Sequence, residues 1–252
     1  RSGTNFAALR DAQTDPSGWP HIDLHGRGHS STAARMIWRV CALWLAFSVS
    51  ASAQEYLNAD TALSDDDFYR LVSCAAPIDG ACAKPIVRWP KASLSVGITR
   101  MDAAFLGGKK KRAEAALFRA IKEINAAGSA ITLTRDDSDP DMPILFLDMP
   151  ARSIIQDSGY PALDGKPISA AGVRVFAKDG VILKSVILVT MGLQMRAYES
   201  AILEEITQGL GLLTDIGGPF YESRSIFSQS RNALTKLGKQ DIMALGRHYP
   251  AR

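Results

Sequence analysis

One segment decides which residues of this 252-residue chain have to fold, and it does not lie at the beginning. Met36-Ile37-Trp38-Arg39 leads into a run from Val40 to Val49 that is almost wholly apolar and ends in Ser50-Ala51-Ser52-Ala53-Gln54. A basic residue, a short apolar core and an Ala-x-Ala exit are the parts of a secretory signal peptide in their working order. The run is too short to span a bilayer, which needs about 20 apolar residues. The reading is therefore a start at Met36, a signal peptide over 36–53, a single folded domain over 54–252, and a non-native or disordered leader over 1–35. That leader has no apolar period. His21, His25 and His29 are spaced like ligands on a helix face, but Pro20, Gly26 and Gly28 stand among them and exclude the helix.

Composition narrows the function. At 46% apolar and net +3, the chain buries enough surface to offset its ordering entropy, so disorder is excluded. Removing 1–53 leaves 24 basic and 23 acidic residues, a net of +1. That gives no large positive field for nucleic acid, and none is expected as a partner. Cys41 leaves with the signal, so Cys74 and Cys82 remain; in an oxidising compartment this pair, separated by Pro77 and Gly80, is expected to form a disulfide. The expected location is periplasmic or secreted, with no transmembrane anchor after signal cleavage.

Along 54–252, Ser64 followed by Asp65, Asp66 and Asp67 predicts a capped helix start with Phe68, Leu71 and Val72 on its apolar side. Half-buried strands are predicted at Ile86–Trp89 and Leu94–Ile98. An amphipathic helix follows over Lys109–Ala127, with Ala116, Leu117, Ile121 and Ile124 inward and Gly128 as its stop. Its basic start, Lys109 to Arg112, reads as a solvated first turn. Further strands are expected at Ile131–Thr134, Ile144–Asp148, Val173–Ala177 and Val181–Thr190, the last with a polar break at Lys184-Ser185. The acids between Asp136 and Asp141 lack the glycine and terminal glutamate of an EF-hand and read as a polar turn. Helices over about 194–213 and 239–247 complete an α+β domain with a twisted mixed sheet.

Chemistry concentrates in the helix 194–213. Tyr198, Ile202, Ile206, Leu210 and Leu213 share its apolar face, while Glu204 and Gln208 point together elsewhere and Glu205 lies about 100° away. Zinc-peptidase helices use this frame: two His at i and i+4 on the metal, a Glu between them as base, a turning Gly and a third ligand. Here Glu204 and Gln208 stand at the His positions, Glu205 at the base, Gly211 at the turn and Thr214 at the third ligand, with Asp215 beside it. His248 is the one histidine after residue 53, so a His-based zinc site is arithmetically impossible there and no such cofactor is expected. Spacing alone favours solvated acids for Glu204 and Glu205. Glu204, Gln208 and Asp215 are the candidate metal ligands and Glu205 the candidate catalytic base.

The string Ile202-Leu203-Glu204-Glu205-Ile206-Thr207-Gln208, with Leu210-Gly211-Leu212, Asp215 and Ser225-Ile226-Phe227, resembles domain-of-unknown-function family 2927, a group of exported bacterial proteins. Arg88-Trp89, Asp241, Leu245 and Tyr249-Pro250 are similar to it too. That family in turn resembles a metzincin-type zinc peptidase whose ligands have been replaced. The resemblance implies a zincin-like fold, with a sheet and a long helix above a cleft, the Glu-Glu-x-x-Gln helix below it and a short C-terminal helical part. It implies no established activity. The expectation is a non-catalytic envelope protein binding a peptide or protein segment, with Glu205, Gln208, Asp215 and Tyr221 as structural or ligand-contacting residues. The alternative is a metal-dependent hydrolase using the Glu-Glu-x-x-Gln helix.

Overall fold

The computed structural model describes residues 56–230 and 233–251. The expectations for 1–35, for the signal segment 36–53, for the three early histidines and for Cys41 lie outside the described residues. In chain order the regular elements are β1 (Tyr56–Asn58), α1 (Asp65–Cys74), β2 (Ser93–Met101), α2 (Gly108–Asn125), β3 (Thr132–Arg135), β4 (Met142–Leu147), β5 (Ser153–Ile154), β6 (Pro167–Ile168), β7 (Ala171–Lys178), β8 (Val181–Thr190), α3 (Tyr198–Gly209), β9 (Asp215–Gly217) and α4 (Lys239–His248). The architecture is mixed α/β, with four helices and a five-stranded mixed sheet among the described residues.

The sheet runs β3-β2-β4-β8-β7. β3, β2, β4 and β8 are parallel neighbours, and β7 closes one edge antiparallel to β8. Between β7 and β8 the turn is Asp179-Gly180, both at positive φ (51° and 79°), the two-residue connection whose twist suits a hairpin. Period-two alternation divides the side chains between two cores. From β4, Met142, Ile144 and Phe146 enter the larger core while Leu145 and Leu147 enter a smaller one. β8 does the same, with Ile187 and Val189 on one side and Val186 and Leu188 on the other. Because both faces are covered, β4 reads as a continuous apolar run instead of an alternating one.

On the larger core, α2 contributes Ala113, Ala116, Leu117, Ala120 and Ile124, and α3 contributes Tyr198, Ile202, Leu203 and Ile206. Arg112 and Arg119 of α2 both reach Glu199 of α3 at 3.0 Å. The smaller core is roofed by the excursion between β4 and β7, through Ile155, Leu163 and Ile168. The short pair β5–β6 lies within that excursion. β1 pairs in parallel with β9, and Phe68 of α1 shares the larger core with Ala244 and Leu245 of α4. Ser64 caps α1 as expected, its Oγ accepting the Asp67 N–H at 3.1 Å ahead of three acids in the first turn. Cys74 and Cys82 are joined in a disulfide, their Cα atoms 5.2 Å apart.

Three expectations are corrected. Ile86–Trp89 is not a strand: only Arg88 makes a bridge, to Val181, because this segment's side chains bond to the C-terminal part. β8 has no polar break at Lys184-Ser185. Ser185 is fully buried and its hydroxyl donates to Gly209 O at 2.8 Å, while the Lys184 amine reaches Pro140 O at 2.7 Å. Finally, α3 is shorter than 194–213: it starts after a 3-10 turn at Met195–Ala197 and stops at Gly209. The acid-rich turn is satisfied from within, with Asp137 accepting from Arg135 and the Ile98 N–H, and Asp141 from Ser95 and Lys91.

Candidate functional site

Helix α3 ends where two backbones come too close for a side chain. At Gly209 the helix packs closely on β4 and β8, a Cβ there lying 3.3 Å from Met142 Sδ and 3.5 Å from the Ser185 Cβ. At Gly211 the backbone takes φ 108°, and a Cβ would run into the Val87 carbonyl oxygen and the His248 ring. Only glycine fits both requirements. The helix's last carbonyls, which have no partners within the helix, are taken by distant side chains. Gly209 O accepts from Trp89 Nε1 at 3.0 Å and from Ser185 Oγ, and Leu210 O accepts from Tyr249 Oη.

Past Gly211 the chain doubles back and brings Asp215, the first residue of β9, against the motif helix. Gln208 Nε2 donates to Asp215 Oδ1 at 2.6 Å. Both side chains are buried, at 3% and 6% exposure, and Glu205 one turn earlier is at 8%. The expectation that Glu205 is solvated is therefore wrong, because α3 packs against α2 and against β7 and β8 of the sheet, and the chain returning at Asp215 covers it further. Of the two acids, Glu204 alone remains half-exposed.

Glu205 meets the edge of the sheet. Thr190 N–H donates to Ala170 O, and by the alternation of an antiparallel ladder Val173, three residues on, directs its N–H away from β8. The buried Glu205 carboxyl faces that N–H. The guanidinium of Arg174 folds back over the same edge, donating to Val173 O at 3.1 Å and Pro167 O at 2.7 Å. At Val173 both edge-facing backbone groups are thus occupied by side chains of the protein itself, one of the ways sheets blunt an open edge.

Burial governs the electrostatics. It holds the Glu205 carboxyl well above the usual carboxylate range, and the nearby Asp215 charge pushes it further; Arg174 and the Val173 N–H offset only part of this. Asp215 is also raised by burial, against the opposing pull of Gln208 and Lys84. Two desolvated carboxyls in mutual reach do not both ionise readily, so the pair retains a proton near neutrality. Glu205 Oε2 and Thr214 Oγ1 are buried without a hydrogen-bond partner.

The remaining candidates lie elsewhere. Tyr221 Oη accepts the Leu63 N–H at 2.9 Å and donates to Gln240 Oε1 at 3.0 Å, and its ring packs 5.5 Å from that of Phe68. It ties α1 to α4 and makes no hydrogen bond to Glu205, Gln208 or Asp215. His248 is 1% exposed, with Nε2 donating to Val87 O at 3.0 Å and Nδ1 facing Tyr69 Oη at 3.3 Å. Burial and the Arg88 charge push its pKa down to about 4, so it is a neutral core residue. Arg174 and the Val173 N–H are the site partners that motif spacing missed; they come from a strand some thirty positions away in sequence, and no local signal marks them.

Among the described residues no group of three or more His, Cys, Asp or Glu side chains converges to hold a metal ion. An open depression of about 570 Å³ lies at the carboxyl ends of β2 and β4, lined by Arg100, Asp102, Asp148, Met149, Ile154 and Asp157 among others; it includes no motif residue. No protein-family model matches the chain, and no curated protein aligns with it.

Proposed function

We propose that this chain is an exported envelope protein that keeps a zincin-like peptidase scaffold without its chemistry and binds a peptide or protein segment. The family resemblance, the periplasmic or secreted location and the absence of a resident metal belong to this same reading. Its support is the arrangement of a mixed sheet, a long helix α2, the Glu-Glu-x-x-Gln helix α3, a glycine turn at Gly211 and a short helical C-terminal part. The observation that carries the non-catalytic reading is the 2.6 Å bond from Gln208 to Asp215. Two side chains that would have to open toward a cation are instead spent on each other, and the residue at the base position holds the edge strand. A partner segment adds along β7 beyond Val173, toward Ala177 and Lys178, where the strand is exposed. The disulfide accords with a life outside the cytoplasm.

One observation favours the alternative, a metal-dependent hydrolase. The orphaned Glu205 Oε2 is a buried oxygen that a bound cation or its water would satisfy. Incubating the protein with an internally quenched peptide library, with zinc or calcium added, separates the two. Retention of peptides without cleavage is the result expected. Cleavage that a chelator stops and Glu205→Gln abolishes would establish the hydrolase instead.

A further inference from the structure

The largest charge asymmetry of the molecule lies on α2 and plays no part in the site above. Its 18 residues carry six basic side chains (Lys109, Lys110, Lys111, Arg112, Arg119, Lys122) and two acidic ones (Glu114, Glu123), a net of +4. The whole chain is +3, so everything outside this helix sums to −1. Some of that charge is neutralised locally: Arg112 and Arg119 share Glu199, and Lys110 lies 4.0 Å from Glu114. Lys109 is turned back to Ala104 O.

What remains forms a ridge. The helix buries Ala113, Ala116, Leu117, Ala120 and Ile124, and at 100° per residue the direction opposite their centre falls on Lys111, Ala115, Phe118 and Lys122. Phe118 is 65% exposed, more than any other large apolar side chain described, and it stands between two lysines at the outermost line of the helix. Leu106, immediately before the helix, is 56% exposed. A ring-free soluble polyanion would be held by the lysines alone and has no use for a phenyl ring at the apex, and nucleic acid, which could stack on it, is disfavoured by the near-neutral charge of the chain. A bilayer with anionic headgroups uses both, the ring entering the interface while the ammonium groups stay at headgroup level.

We propose that the outer ridge of α2, Lys111-Phe118-Lys122, docks this protein on an anionic phospholipid surface. The ridge faces away from α3 and the sheet, so docking leaves the Glu205–Gln208–Asp215 cluster untouched, and the inference stands apart from the peptide-binding reading. Attraction of this kind is weak per residue, about fivefold in partition for each lysine near the surface, and reversible.

The test is co-sedimentation of the purified protein with vesicles of phosphatidylcholine alone and of phosphatidylcholine mixed with phosphatidylglycerol. Expected is stronger partition to the mixed vesicles that falls as salt is raised, at least tenfold weaker for Lys111→Glu/Lys122→Glu, and several-fold weaker for Phe118→Ser. Unchanged melting temperatures would assign these losses to the surface, since all three side chains lie outside the core. Equal partition of the unmodified protein to both vesicle types would overturn the proposal. So would variants that bind as the unmodified protein does, or heparin binding as tight as the vesicle binding and indifferent to Phe118, which would assign the ridge to an acidic macromolecule.

Discussion

Helix α3 treats its two polar regions in opposite ways. At its C-terminal end the orphan carbonyls of Gly209 and Leu210 receive neutral donors from Trp89, Ser185 and Tyr249, and every group there is paired. One turn back, Glu205 and Asp215 are buried as carboxyls that share too few donors, and Glu205 Oε2 has none. The first arrangement is what a fold needs in order to end a buried helix. The second costs stability, since a desolvated carboxyl is tolerated only by keeping a proton. A chain shaped by stability alone would place apolar side chains at the second position.

The largest effect is expected at the satisfied end. Trp89→Ala removes a buried ring and the donor to Gly209 O together, and chemical denaturation should show a loss of about 3–5 kcal/mol. Tyr249→Phe leaves the Leu210 carbonyl and the Trp89 N–H without a partner and should cost about 1–3 kcal/mol in the same measurement. If either proved neutral, the contrast between the two regions would collapse.

The unsatisfied region predicts the smaller effect, with the opposite sign. A carboxyl whose pKa is higher in the folded than in the unfolded chain binds its proton more tightly when folded. Stability therefore falls as pH rises from the unfolded value near 4 toward the raised folded value. His248, pushed down to about 4, acts in the other direction: its contribution grows from pH 4 to about 6.5 and is complete above that. Between pH 6.5 and 8 the carboxyl effect therefore stands clear of the histidine, and stability should fall by about 1–2 kcal/mol. Glu205→Gln keeps an acceptor for Val173 N–H, so it should flatten the slope relative to the unmodified protein and melt higher at pH 8. A thermal melt series across that range checks it, and an unchanged slope in the variant would show that Glu205 is already ionised in the fold.

Elements with one exposed face were legible in the sequence. The cap and acid-rich first turn of α1 and the inward residues of α2 follow from local rules that act on neighbouring residues. The solvated reading of Glu205 failed because periodicity reports one apolar face, and α3 is covered on two. A polar residue buried against a second layer has the same spacing as one in water. Ile86–Trp89 alternates as a strand does, yet its residues are used as donors to the end of α3 and to the C-terminal part. The parallel pairing of β1 with β9 joins segments some 160 positions apart and leaves no local mark. One signal was present without having been used: Asp179-Gly180 between two apolar runs marks the hairpin of β7 and β8.

The central claim is that Glu205, Gln208 and Asp215 are spent on partners within their own protein and serve no resident metal. Elemental analysis of the protein purified without chelators, followed by zinc and calcium titrations read by thermal melting, tests this most directly. The account predicts no stoichiometric metal and no shift with either ion. A metal bound one to one, lost in both Gln208→Ala and Asp215→Asn, would contradict it and show that the Gln208–Asp215 bond opens to hold a cation.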